Sequence, residues 1–157
     1  MNDKSDCPMC RGAAADEELG RIEVWQDAHW RLTVSLSSVV PGFAYLEPKR
    51  HIAFITELDG DEAKTFGPVL AACTRALKEE TGAEVVYVYI FGDGVAHLHL
   101  HLAPHRAGDA LSDQMIRGEL IEEKLPSGMT WVTSRDFPTL PREDLVQIAD
   151  RVRDRLA

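Results

Sequence analysis

Ala96-His97-Leu98-His99-Leu100-His101-Leu102 alternates imidazole and leucine without a break. Extended backbone sets residues i, i+2 and i+4 on one face about 6.5 to 7 Å apart. The spacing therefore predicts a strand with His97, His99 and His101 on one side and the leucines on the other. Gly92-Asp93-Gly94 supplies a turn before it and Pro104 a stop after it. A half-buried strand needs only Thr, Lys or Arg on its wet face, so three imidazoles in a row point to chemistry. Two chemistries compete. The His-x-His spacing can hold a metal ion. Alternatively, the middle imidazole can attack phosphorus between two hydrogen-bond donors, because histidine is both nucleophilic and cationic near neutral pH.

Outward from this strand the pattern predicts an antiparallel sheet. Residues 85–91 form an apolar, β-branched and aromatic run that pairs with the histidine strand as a hairpin. Strands are expected at 21–25, 29–35 and 43–47; in the second, Trp30, Leu32 and Val34 share one face while Arg31 and Thr33 share the other. Trp30 reads first as core, with stacking of a nucleobase as its alternative. Residues 61–80 are helical by their apolar stripe, with a kink or a broken first turn expected at Gly67-Pro68 and Cys73 read as core. Residues 107–126 read as a broken helix or irregular excursion, 129–133 as a further strand, and 140–156 as a C-terminal helix with Leu145, Ile148, Ala149, Val152 and Leu156 on its stripe. The class is α+β: about five antiparallel strands with a helix packed on them and a helix at the C-terminus.

The chain has 157 residues, 45% hydrophobic and 27% charged, which suits one domain over 1–157. A formal net charge of −9 argues against a nucleic-acid duplex as partner, since that binding needs many phosphates neutralised by Lys and Arg. No apolar run reaches membrane-span length and no secretory pattern opens the chain, so the expected setting is the cytoplasm, with no membrane partner. The three cysteines suggest no disulfide framework. Cys7-Pro8-Met9-Cys10 lies in a polar tail (residues 1–20) and reads as half of a tetrahedral zinc site, with a redox pair or two incidental thiols as alternatives.

His-Leu-His-Leu-His-Leu-Ala, at 97–103, resembles the His-φ-His-φ-His-φ-φ signature (φ apolar) of the histidine-triad, or HIT, superfamily of nucleotide hydrolases and transferases. Pro41-Gly42 leading into Pro48-Lys49-Arg50-His51 is similar to that family's second recognisable stretch. The resemblance implies a HIT-like fold, a homodimer, and His99 as a nucleophile that forms a nucleotidyl-histidine. His97 and His101 would complete the catalytic set, with His101 or His105 as the acid. It also implies a structural zinc on Cys7, Cys10, His51 and His97. In that case His97 does not titrate as an acid. Substrates would be dinucleoside polyphosphates, nucleoside phosphoramidates or adenylylated compounds; transfer to an acceptor other than water, or nucleotide binding with little turnover, are the alternatives. A metallohydrolase using the three triad histidines as ligands is disfavoured by the better home that Cys-x-x-Cys offers zinc. The chain departs from commoner patterns at two expected substrate contacts: Gly94 stands where many hydrolases carry Ser or Thr, and Ser35 where an Asp often takes the ribose hydroxyls. Residues 107–157 match no motif of the family and form a C-terminal extension.

Overall fold

A computed structural model of the chain describes residues 7–91, 95–109, 119–128, 130–135 and 138–157. Three-residue 3-10 turn Met9–Arg11 and a single helical turn, α1 (Ala13–Asp16), precede β1 (Arg21–Gln26), β2 (Trp30–Ser35) and β3 (Ala44–Pro48). Helix α2 (Gly60–Thr81) leads to β4 (Val85–Tyr89) and β5 (Leu100–His105); β6 (Glu119–Lys124), β7 (Thr130–Arg135) and α3 (Arg142–Leu156) follow. The first five strands form one antiparallel sheet in the order β1-β2-β3-β5-β4, and β6 and β7 pair separately.

Alternation decides the faces. Trp30, Leu32, Val34, Ala44, Leu46, Leu100 and Leu102 are all at most 1% exposed and pack with Cys73, Ala76 and Leu77 of α2 and Ile148, Ala149 and Val152 of α3. Their β2, β3 and β5 neighbours Arg31, Thr33, Tyr45, Glu47 and His101 point to the opposite face. Cys73 is a core residue, and burial, with a smaller push from Asp27, raises its thiol to about 12. Helix α2 runs unbroken through Pro68, so its first turns are not severed there, and it ends at Gly82 in the left-handed conformation. Gly42 is required on two counts: its φ is +72°, and a Cβ there would lie 2.6 Å from Thr81 Cγ2.

Three expectations need correction. The histidine strand begins at Leu100, so His97 to His99 lie outside the ladder. Here the backbone bonds outside the ladder: the Leu98 N–H donates to the Ile52 carbonyl at 2.7 Å. Pro104 does not stop the strand, because pairing with β3 has ended at Leu102 and Pro104 has a neighbour on the β4 side only. Part of the stretch expected as a broken helix or irregular excursion is strand β6, returned to β7 by a Leu125-Pro126-Ser127-Gly128 turn closed by the Gly128 N–H on the Leu125 carbonyl. Among the described residues no helix is long and apolar enough to cross a membrane.

Candidate active site and metal centre

The N-terminal segment is fixed to the open face of the sheet at two places. One is a buried ion network. Arg21 Nε donates to Asp16 Oδ1 at 2.9 Å, and its Nη1 and Nη2 reach Glu47 Oε2 and Oε1 at 2.9 and 3.1 Å. Arg31 donates to Asp16 Oδ2, to Glu23 Oε2 at 2.8 Å and to Glu47 Oε1 at 3.1 Å. Burial pushes the Glu47 carboxyl up from its ordinary value, against the pull of Arg21 and Arg31. Sequence reading found Arg31 on the correct face but not this network, whose members come from α1, β1, β2 and β3.

The second fixing point gathers Cys7, Cys10, His51 and His97, whose ligand atoms all lie within 4.8 Å of one another. Cys7 Sγ is 3.4 Å and Cys10 Sγ 3.5 Å from His97 Nδ1, and Cys10 Sγ is 3.2 Å from His51 Nδ1. A tetrahedral ion with sulfur at about 2.3 Å and nitrogen at about 2.0 Å spaces such atoms about 3.5 Å apart. The donor chemistry fits as well. His97 Nε2 is 2.8 Å from the Pro48 carbonyl, which can only accept, so Nε2 carries the proton and Nδ1 turns a lone pair toward both sulfurs. Burial lowers the His97 pKa, with His51, His99 and Arg21 adding to the effect against the raising influence of Pro48, so the neutral ligand form is favoured. His51 lacks this support: its Nε2 is buried without a hydrogen-bond partner among the described residues. These four residues could hold a metal ion and form a closed set without an open position for substrate.

The triad continues from that cluster. His99 Nδ1 is 2.6 Å from the main-chain carbonyl of His97. The same argument puts the proton on Nδ1 and leaves the lone pair on His99 Nε2, the form a nucleophile needs. His101 lies 5.2 Å from His99 between ring centroids. Aromatic rings surround it: Tyr89 stacks on it at 4.9 Å, and Tyr45, Phe91 and Phe43 meet it edge-on at 5.2, 5.5 and 5.9 Å. These aromatics were not singled out as site residues, although Tyr45 and Tyr89 occupy the positions paired with His101 on its two neighbouring strands.

Other expected contacts fall elsewhere. His105, at the far end of β5, binds Asp109 Oδ1 through Nδ1 at 2.8 Å and stacks on Tyr87 at 5.1 Å. It stands four positions beyond His101 on the strand, about 13 Å at the usual rise per residue, so it does not join the triad. Trp30 cannot stack a base. It is fully buried on the helix side, 5.7 Å from Phe66, with its indole N–H on Thr65 Oγ1 at 3.0 Å. Ser35 ends β2 opposite Arg21 and is 6% exposed, and its hydroxyl accepts the Ser37 N–H at 3.2 Å. Gly94 lies outside the described residues.

Known proteins with this arrangement bear on its family. Residues 17–108 match the model of the HIT domain. The chain is 25% identical over its whole length to protein hit of Bacillus subtilis, covering 99% of that protein. It is 26% identical over 119 residues to the galactose-1-phosphate uridylyltransferase of Thermotoga maritima, a match that takes in 69% of this chain and 37% of the transferase. In fold it is similar to a zinc-bound histidine triad family protein from Mycobacterium smegmatis, with a TM-score of 0.65, 20% identity, and 98% and 97% of the two chains covered. With the domain match spanning more than half of the sequence and taking in the triad near its C-terminal end, the chain belongs to the HIT domain family.

Proposed function

We propose that this protein is a nucleotide hydrolase that cleaves at the α-phosphate through His99. The observation that carries the reading is the 2.6 Å contact from His99 Nδ1 to the His97 carbonyl, which leaves Nε2 as the nucleophilic nitrogen. The Nε2 lone pair forms an N–P bond as the bond from phosphorus to the leaving group breaks. The leaving group departs with a proton, for which His101 is the nearest described histidine. Water then forms a P–O bond, loses a proton and breaks the N–P bond, returning the lone pair to Nε2 and releasing a nucleoside monophosphate. Dividing the displacement in two lowers each barrier.

The ion at Cys7, Cys10, His51 and His97 is zinc in this reading, supported by the S2N2 donor set and its spacing. Bound there it supplies a fixed cross-link, with no open position for catalysis. These residues tie the tail to the Pro48 end of β3 and hold the His97 carbonyl toward His99. The protein works as a homodimer: β4 is an edge strand with Val85 and Val88 more than 40% exposed, and a groove against Leu70, Thr74 and Lys78 of α2 runs beside it. With Cys7 and Cys10 as ligands and Cys73 a buried thiol, the chain suits the reducing cytoplasm.

The test is intact mass spectrometry within seconds of mixing with a diadenosine polyphosphate or adenosine 5′-phosphoramidate, quenched without acid. The expected result is an adenylyl adduct on the native chain and none on His99→Ala, with turnover lower by about a thousandfold or more. Turnover without an adduct under any quench would move the reading to the triad as metal ligands. Neither turnover nor adduct would favour nucleotide binding alone. Turnover that requires inorganic phosphate or a sugar phosphate would make the protein a phosphorylase or transferase, the chemistry of the uridylyltransferase it is similar to.

A further inference from the structure

Cys7 and Cys10 share a turn as well as their histidine neighbours. The Cys10 N–H donates to the Cys7 carbonyl at 3.1 Å, and the two sulfurs lie within 4.8 Å of each other. A turn closed in this way keeps its first and fourth Cα atoms within about 7 Å, and a disulfide bridges about 4.4 to 6.8 Å. The pair can therefore close on itself without moving the rest of the fold. Access differs between the two: Cys7 is buried whereas Cys10 is half-buried, so a small oxidant meets Cys10 first. Cys73 stands apart, fully enclosed in the core with its thiol kept protonated by burial, and is inert. The tail also has a second hold on the sheet. Asp16 binds Arg21 and Arg31, and both arginines bind Glu47, through contacts that involve no cysteine or histidine. Side-chain ties between the two holds are weak: Met9 Sδ lies 3.3 Å from Arg21 Nη1, and the exposed Arg11–Glu18 pair meets at 3.3 Å.

We propose that Cys7 and Cys10 are a site of reversible oxidation by hydroperoxides, at which disulfide closure unlatches residues 7–11 from His51 and His97. The proposal rests on the metal reading of this cluster and not on the hydrolase reading. The Cys10 thiolate attacks a peroxide oxygen: an S–O bond forms, the O–O bond breaks, and the alcohol leaves with a proton. The Cys7 thiolate then attacks the Cys10 sulfur: an S–S bond forms, the S–O bond breaks, and hydroxide takes up a proton to leave as water. Two electrons pass from the sulfurs to the peroxide, and two protons are consumed. The oxidised pair no longer offers thiolates, so two imidazoles are left where four donors held an ion. His97 loses its restraint through Nδ1 but keeps its bond to the Pro48 carbonyl, and Asp16 stays in the ion network. The opening is therefore confined to the segment ahead of α1, and a thiol reductant can reverse it.

The test titrates the full-length, reduced, zinc-loaded chain with tert-butyl hydroperoxide. The expected result is release of the zinc to a chromogenic chelator, a chain lighter by two hydrogens, and a peptide linked through Cys7 and Cys10, all reversed by dithiothreitol and added zinc. Trypsin should then cut after the exposed Arg11 about tenfold faster or more, while the bond after Arg21 stays protected by the ion network. Cys10→Ser should form no link, and Cys73→Ala should respond like the native chain. Zinc retained at peroxide concentrations that oxidise free cysteine overturns the proposal and leaves the metal reading standing. A reduced chain that binds no zinc overturns both. Oxidation that runs on to sulfinic acid, joins two chains, or opens the bond after Arg21 together with that after Arg11 overturns the reversible local latch. Turnover is not a readout, so the fate of the hydrolase reading does not alter any of these outcomes.

Discussion

Arg31→Met tests how the tail is held to the sheet. Methionine keeps most of the aliphatic volume and removes the guanidinium, which contacts Asp16, Glu23 and Glu47. The two arginines and three carboxylates carry a formal charge of −1 together; without Arg31 the charge is −2, with Glu47 fully buried and Asp16 6% exposed. Stripping one partner from a buried ion network costs about 3–5 kcal/mol, because the remaining charges keep their desolvation penalty. With a urea slope of about 2 kcal/mol per molar, the unfolding midpoint should fall by about 1.5–2.5 M. The penalty should also depend on pH. Burial already raises the Glu47 carboxyl, and removing one of the two cations that oppose the rise lifts it further. A carboxyl raised in the folded state binds a proton that the unfolded chain releases, so the variant recovers stability as pH falls through that raised value. The gap between native and variant should therefore be widest near pH 8 and narrower near pH 5. A gap under about 1 kcal/mol, or one unchanged between the two pH values, would refute the view that this network anchors the tail.

Two further outcomes can be measured directly. Cys10→Ser should lower the zinc content of purified protein, by elemental mass spectrometry, from about one per chain to near zero, and should lower the melting temperature, since Cys10 Sγ lies within 3.5 Å of both imidazoles; an unchanged metal content would count against the site. Gly42→Ala should cost about 2–3 kcal/mol in denaturant unfolding, from the left-handed backbone and the collision with Thr81, and shortening the neighbour in Gly42→Ala/Thr81→Ser should recover part of that; no recovery would leave backbone strain as the whole cause.

Much of the architecture was legible in the chain because it rests on local periodicity. The i, i+2 pattern put Leu32, Val34, Leu100 and Leu102 on one face, and the 3.6-residue stripe fixed the buried side of α3. The strand at 119–124 was not legible, since its short apolar pair suits either period and only the return through Gly128 pairs it with β7.

By itself the sequence determined that three imidazoles follow one another at alternate positions and that two thiols stand three residues apart, because spacing along the backbone is covalent. Only the tertiary structure decided what each of them meets. Cys10 reaches His51 across 41 residues and His97 across 87, and His105 is drawn away by Asp109. The direction of a side chain follows from where its backbone finds hydrogen-bond partners. At the triad that partner is Ile52, which takes the Leu98 N–H, lets the chain leave the ladder before Leu100 and turns the His97 carbonyl onto His99. No pattern read within the histidine stretch contains that information, since Ile52 lies 46 residues upstream of Leu98.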